Sequence, residues 1–277
     1  MPGAPEPIYV AARALLLDAL DTLAPHHPAL TLVGAQAIYL HTGSADLRVA
    51  EHTTDGDLVV DPDILSDEPL LEGIMTGGGF LPSGQPGTWL KSGTEAKAID
   101  LLVPEAVAGA LGRRGARIPP HGSRVARRTR GLEGALIDRS PMRISALDDQ
   151  DERSHLIHVA GPAALVVAKL IKIGERSEHP ERLKGKDALD ILRLLRAHDT
   201  NELGAGLLRL NNRPPSAEVT KEALGYLSAH FLDPQGIGPQ LAAQAAHPFE
   251  DADEVALSCA ILAGELLRAI PGLSEGS

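Results

Sequence analysis

The sequence predicts an α+β chain: a small mixed sheet flanked by helices over residues 1–160, then an all-helical region over 161–277. Two observations carry this. Short apolar runs bounded by glycine, proline and polar clusters, at 30–33, 58–61, 88–90 and 98–103, read as strands and all fall in the first part. Beyond Gly161-Pro162 apolar residues recur at helical spacing and strand signal fades.

Taken in order, 11–23 is a helix that Pro25 and Pro28 end. The run 30–33 is a strand, Gly34 turns the chain, and 35–40 begins a second helix. A polar loop follows over 42–51, then the strand 58–61. Residues 65–75 read as a helix stopped by Gly77-Gly78-Gly79, and 88–90 and 98–103 as two more strands. The stretch 119–130 is too rich in arginine, glycine and proline for a core element. Residues 135–137 and 142–144 are placed to close a hairpin around Ser140-Pro141. Helices follow at 163–175, with Pro162 suited to a first turn, and at 184–197, 217–231 and 249–270.

Composition is that of a globular protein, with 43% hydrophobic and 23% charged residues. No apolar run approaches the roughly 18 residues that span a bilayer, which argues against a membrane partner. The N-terminal segment lacks the basic start and apolar core of a secretory signal, and Cys259 is the single cysteine. Both fit a reducing cytoplasm. The net charge of −11 argues against a surface devoted to non-specific nucleic-acid binding, and 3% aromatic residues leave few platforms for stacking bases. Charge is uneven, however. Nine acids and one base, Arg48, lie between Asp46 and Glu72, whereas Arg113 to Arg130 holds seven arginines and no acid. Such a run is either a solvated loop or a clamp for phosphates or RNA.

The chemistry is concentrated in three aspartates. Asp55 and Asp57 lie one residue apart at the entry to the run 58–60, and Asp100 interrupts the apolar run 98–103. On a strand, positions i and i+2 share a face, so the first two carboxylates can aim at one point. Convergent like charges are costly unless cations neutralise them, and Mg²⁺ or Mn²⁺ prefers such oxygens while also holding phosphates. The pattern points to metal-dependent phosphoryl or nucleotidyl transfer. Gly34, at a strand-to-helix turn, lets backbone N–H groups approach a phosphate. Lys169, Lys172 and Arg176 share one helix face. Lys169 follows a very apolar stretch, so it either snorkels from the core edge or meets a ligand. Asp187 and Asp190 lie at i and i+3 on the next helix, able to pair with that basic face or to charge a helix start.

Val33-Gly34-Ala35, Asp55-Gly56-Asp57 and the later Asp100 resemble the pattern of the DNA polymerase β-like nucleotidyltransferase superfamily. The segment Thr53-Thr54-Asp55-Gly56-Asp57, together with Lys169, Arg176 and Lys186-Asp187-Ala188-Leu189-Asp190, is similar to the AbiEii/AbiGii toxin-like family. Ala35 stands where the superfamily usually has glycine or serine, and Gly56 where it usually has an apolar residue.

The resemblance implies a polymerase β-like fold in which Asp55, Asp57 and Asp100 bind Mg²⁺ or Mn²⁺. It implies that Gly34, Ala35, Thr53, Thr54, Lys172, Arg176, Lys186 and Asp187 contact the nucleotide. Lys169 would meet the triphosphate, with Asp190 or Asp187 orienting it. The implied activity transfers an NMP from an NTP to a hydroxyl, on tRNA in a toxin–antitoxin or phage-defence role with a cognate antitoxin protein. A small antibiotic-type acceptor and a non-catalytic nucleotide- or partner-binding role are the alternatives.

Overall fold

The computed structural model describes residues 5–43, 49–93, 98–109 and 114–271. Asp46 and Arg48 of the acidic stretch and Arg113 of the arginine run lie outside them. The chain divides into two compact units, one made of Met1–Ala37 and Ala50–Ala160, the other of Ile38–Val49 and Gly161–Ser277.

The first unit is a mixed sheet with helices. Helix α1 (Pro7–Thr22) starts with proline in its first turn, where the missing N–H costs nothing, and packs on the sheet, with Leu15, Leu16 and Leu20 buried. Strand β1 (Leu30–Val33) is buried at every position, as suits a strand inside a sheet. It runs into α2 (Gly34–Thr42). Then come β2 (Asp55–Val60), α3 (Leu71–Gly77), β3 (Phe80–Pro82), β4 (Thr88–Lys91) and β5 (Ala98–Pro104). Strands β6 (Arg127–Thr129), β7 (Arg139–Ser145) and β8 (Ser154–Ala160) complete the sheet. The order is β3-β4-β5-β2-β1-β8-β7, with β6 pairing β5. β1 and β2 are antiparallel, β2 and β5 parallel.

The second unit is helical: α4 (Pro162–Gly174), α5 (Gly185–Ala197), α6 (Thr200–Asn211), α7 (Ala217–Phe231), α8 (Ile237–Ala246) and α9 (Ala252–Arg268). The fold class is therefore α+β, a mixed sheet with helices and a C-terminal helical region. α4 packs against α5, α6 and α7, and α8 against α5 and α9. Asp199 and Asp251 cap α6 and α9, each accepting two backbone N–H bonds in the first turn. The segment Ile38–Val49 joins this unit, where Tyr39 lies beneath Arg193, 5.5 Å from ring centroid to guanidinium, and Arg193 donates to the Val49 carbonyl at 2.6 Å. No helix among the described residues is long and apolar enough to cross a membrane.

Several elements differ from the sequence reading. The expected helix 65–75 begins only at Leu71, because Pro69 cannot continue a helical ladder. The expected hairpin of 135–137 with 142–144 does not form. Glu133–Leu136 is a single 3₁₀ turn, and β7 pairs antiparallel with β8 instead. Part of the arginine-rich stretch is a strand after all: β6 runs parallel to β5. β2 begins at Asp55 rather than Leu58, so the acidic pair lies within the strand.

Cys259 on α9 is fully buried, and burial pushes its thiol up to about 12. A thiol-reactive dye at pH 8 should leave the folded protein unlabelled and label it once on unfolding in denaturant. Rapid native labelling would show that α9 is not packed as described.

Candidate active site

Two neighbouring strands bring the three aspartates together. β2 and β5 pair in parallel with Asp57 opposite Asp100 and Asp55 opposite Ala98. Register partners point to the same face of a sheet, as do i and i+2, so all three carboxylates project from one face of strands about 4.8 Å apart. The opposite face is core. Gly56, buried, lies against Leu16 of α1 and Ile99 of β5, and a Cβ there would stand 3.0 Å from the Ile99 side chain and 3.3 Å from that of Leu16. Glycine at this position lets α1 close on the back of the acidic strand.

Gly34, the first residue of α2, has φ +71°, a conformation that side chains disfavour. A Cβ placed on it would stand 2.1 Å from Asp57 Oδ2. The Asp57 carboxylate therefore occupies the room that the missing side chain leaves beside the start of α2. Ala35 follows, nearly buried.

The entry to β2 is held from below. Arg13 of α1, almost fully buried, donates through Nε to Gln36 Oε1 at 2.8 Å and through Nη2 to the Tyr9 hydroxyl at 2.8 Å. Gln36 passes this on, donating from Nε2 to the carbonyls of Asp55 at 3.0 Å and Ala12 at 3.1 Å. Thr53, also buried, donates its hydroxyl to Asp55 Oδ1 at 2.8 Å, so it orients the carboxylate, and Thr54 is half-buried just ahead of the strand.

Asp100 is held by neighbours on its own sheet. Thr88, its register partner on β4, donates Oγ1 to Asp100 Oδ1 at 2.7 Å. Arg127 on β6 donates Nη2 to Asp100 Oδ2 at 2.8 Å. Arg13, Gln36, Thr88 and Arg127 escape a reading of the sequence, since no spacing ties them to the aspartates. The nearest hint is the arginine run itself. That run is not an open basic loop: besides Arg127, both Arg128 and Arg130 pair with Glu105.

In the second unit Lys169, Lys172, Arg176, Asp187 and Asp190 form one ion network around a buried Lys169–Asp187–Asp190 centre. Lys169 on α4 donates Nζ to Asp190 Oδ2 at 2.6 Å and Asp187 Oδ1 at 2.8 Å, both on α5. Lys172 reaches Asp187 at 3.0 Å and Arg176 reaches it at 3.4 Å. Burial works against the Lys169 charge, but the two carboxylates outweigh it and push its pKa up. Burial likewise opposes the Asp187 charge, and Lys169 and Lys172 outweigh it and hold the carboxyl well below its ordinary range. Lys186 sits over the Tyr39 ring, 6.0 Å from its centroid.

The first unit's three aspartates supply the donor type and the shared face that a hard divalent cation needs. Their carboxylates share a face without converging on one point. Among the described residues no group of three or more His, Cys, Asp and Glu is placed to hold a metal ion as it stands. The Asp100 oxygens are turned to Thr88 and Arg127.

No protein-family model matches the chain, and no curated protein matches it. A solved structure does. It is an antigenic nucleotidyltransferase-like protein from Paracoccidioides brasiliensis, 14% identical, with a TM-score of 0.38, over 78% of this chain and 92% of that one.

Proposed function

We propose that this chain is a divalent-metal-dependent nucleotidyltransferase, acting in the cytoplasm, that moves an NMP from an NTP to a hydroxyl acceptor. The observation that carries the reading is the register of β2 and β5, which sets Asp57 beside Asp100 and puts Asp55 on the same face, at the mouth of a strand–Gly34–helix turn. The resemblance to polymerase β-like enzymes leads one to expect this arrangement of these residues.

Asp55, Asp57 and Asp100 would hold Mg²⁺ or Mn²⁺. When bound there, the cation would supply charge neutralisation for the triphosphate. Asp100 either shares that cation or takes the proton of the attacking hydroxyl as the new oxygen–phosphorus bond forms and pyrophosphate leaves. Gly34 and Ala35 offer backbone N–H groups to phosphate at the start of α2, and Thr53 and Thr54 fix the entry to the acidic strand. In the second unit the resemblance assigns nucleotide contacts to Lys172, Arg176, Lys186 and Asp187, and Lys169 is held by Asp187 and Asp190.

The acceptor in the toxin-like reading is tRNA, with an antitoxin protein as partner. A small antibiotic-type acceptor is favoured by a specific observation: Arg127, Arg128 and Arg130 are engaged by Asp100 and Glu105, which draws charge away from an RNA clamp. Incubation with labelled NTPs and Mg²⁺, with total RNA in one arm and small polyhydroxylated acceptors in the other, distinguishes them. Transfer should fall about a hundredfold or more in Asp55→Asn and Asp57→Asn. Absence of transfer to either acceptor, with no metal- or NTP-dependent rise in melting temperature, would leave a non-catalytic protein and end the enzyme reading.

A further inference from the structure

We propose that Arg127 is a switch on Asp100: its guanidinium holds the carboxylate away from the cation site until a nucleotide arrives, then exchanges Asp100 for the nucleotide's phosphate. The proposal rests on the nucleotidyltransferase reading and deepens it.

Asp100 faces Asp57 across β2 and β5, yet its oxygens are turned the other way. One accepts from Thr88 Oγ1 at 2.7 Å and the other from Arg127 Nη2 at 2.8 Å. The two holds differ in kind. Thr88 is neutral, and a carboxylate can keep a hydroxyl donor while its other oxygen turns to a metal ion. Arg127 is a fixed positive charge, and a guanidinium hydrogen-bonded to a metal-bound carboxylate sits within repulsive reach of the cation. Cation and arginine therefore compete for Asp100.

Arg127 is also placed for the exchange. Its backbone is fixed in β6, opposite Leu102 of β5. It packs so tightly on Gly87 that a Cβ there would stand 2.5 Å from the Arg127 nitrogen. The side chain is about a third exposed and that of Asp100 16% exposed, so the pair is reachable from solvent. A released guanidinium presents a planar fork that matches phosphate oxygens. Its neighbours Arg128 and Arg130 pair with Glu105, so the arginine run divides its work between structure and this site. Thermodynamic reciprocity follows: whatever Arg127 subtracts from metal affinity, the nucleotide returns when it takes the arginine away.

The test measures Mn²⁺ affinity by electron paramagnetic resonance, and separately the affinity for a non-hydrolysable NTP analogue, in full-length wild type, Arg127→Ala, Arg127→Gln, Arg128→Ala and Asp57→Asn. Without nucleotide, Arg127→Ala and Arg127→Gln should bind Mn²⁺ about tenfold more tightly than wild type, while binding the analogue about tenfold more weakly. Arg128→Ala should change neither. Two variants at position 127, each checked for a cooperative melt, guard against a misfolded alanine form, and Thr88→Val gives a third probe of Asp100 that keeps the arginine. Equal or weaker Mn²⁺ binding in the Arg127 variants, with Asp57→Asn abolishing it, would show a permanent brace and overturn the switch alone. Absence of Mn²⁺ binding in wild type and Arg127 variants alike would overturn the nucleotidyltransferase reading with it.

Discussion

Replacing Lys169 by methionine should cost the second unit about 3–5 kcal/mol, because it removes the ammonium that neutralises two buried carboxylates. Asp187 and Asp190 are 3% and 1% exposed, and Lys169 lies 2.8 Å and 2.6 Å from them. Asp187 keeps Lys172 and Arg176 at 3.0 Å and 3.4 Å, so the damage should concentrate at Asp190. Urea denaturation gives the measurement, and adding Asp190→Asn to Lys169→Met should recover most of the loss by deleting the stranded charge. The same network sets an acid limit. The Asp187 carboxyl is held below its unfolded value of about 4, so its contribution is complete above that pH and is lost as pH falls toward the depressed value. Lys169 is shifted upward, so its contribution survives to strongly alkaline pH. A Lys169→Met protein with wild-type stability and acid sensitivity would mean that this lysine does not neutralise the pair.

How much of this is legible in the sequence depends on how local each cause is. β1, α2 and β5 follow from apolar runs punctuated by glycine, and α4 from a proline start and a dense apolar face. The sequence reading starts β2 three residues late, since Asp-Gly-Asp has the composition of a turn. Its ladder with β5 overrides that preference, because Asp55, Gly56 and Asp57 all have register partners there. β6 is three polar residues, Arg-Arg-Thr, which form a strand because β5 offers an edge on one side and Gly115 a bridge on the other. β8 carries histidines among its apolar positions and gives little strand signal of its own, which is why β7 looks as if it must pair with the residues before it. α8 hides in alanine and glutamine, which carry little apolar contrast.

The candidate site divides the same way. The spacing of Asp55, Asp57 and Asp100 stands out in the chain, as do the cations and acids of α4 and α5. The contacts that aim them do not. Arg127 reaches Asp100 across 27 residues, and Arg13 acts on Asp55 through Gln36, joined by register and packing that spacing cannot encode.

Gly34→Ala is expected to damage both the stability of the first unit and its acidic site. The backbone conformation, φ +71°, alone should cost about 1–2 kcal/mol for a side chain. The added Cβ would also meet Asp57 Oδ2 at 2.1 Å, a distance no side chain tolerates, so the carboxylate must leave its place. That displacement should add about 1–3 kcal/mol of overpacking. It should also impair Mn²⁺ binding as severely as Asp57→Asn does, although Gly34 carries no ligand of its own. A double-mutant cycle with Asp57→Ala separates the two contributions. Removing the carboxylate relieves the collision and leaves the backbone cost, so the two substitutions should be less than additive by about 1–3 kcal/mol. Strict additivity, or unchanged metal binding in Gly34→Ala, would show that Asp57 does not rest in the cradle of that glycine. The acidic strand and the start of α2 would then not form one site.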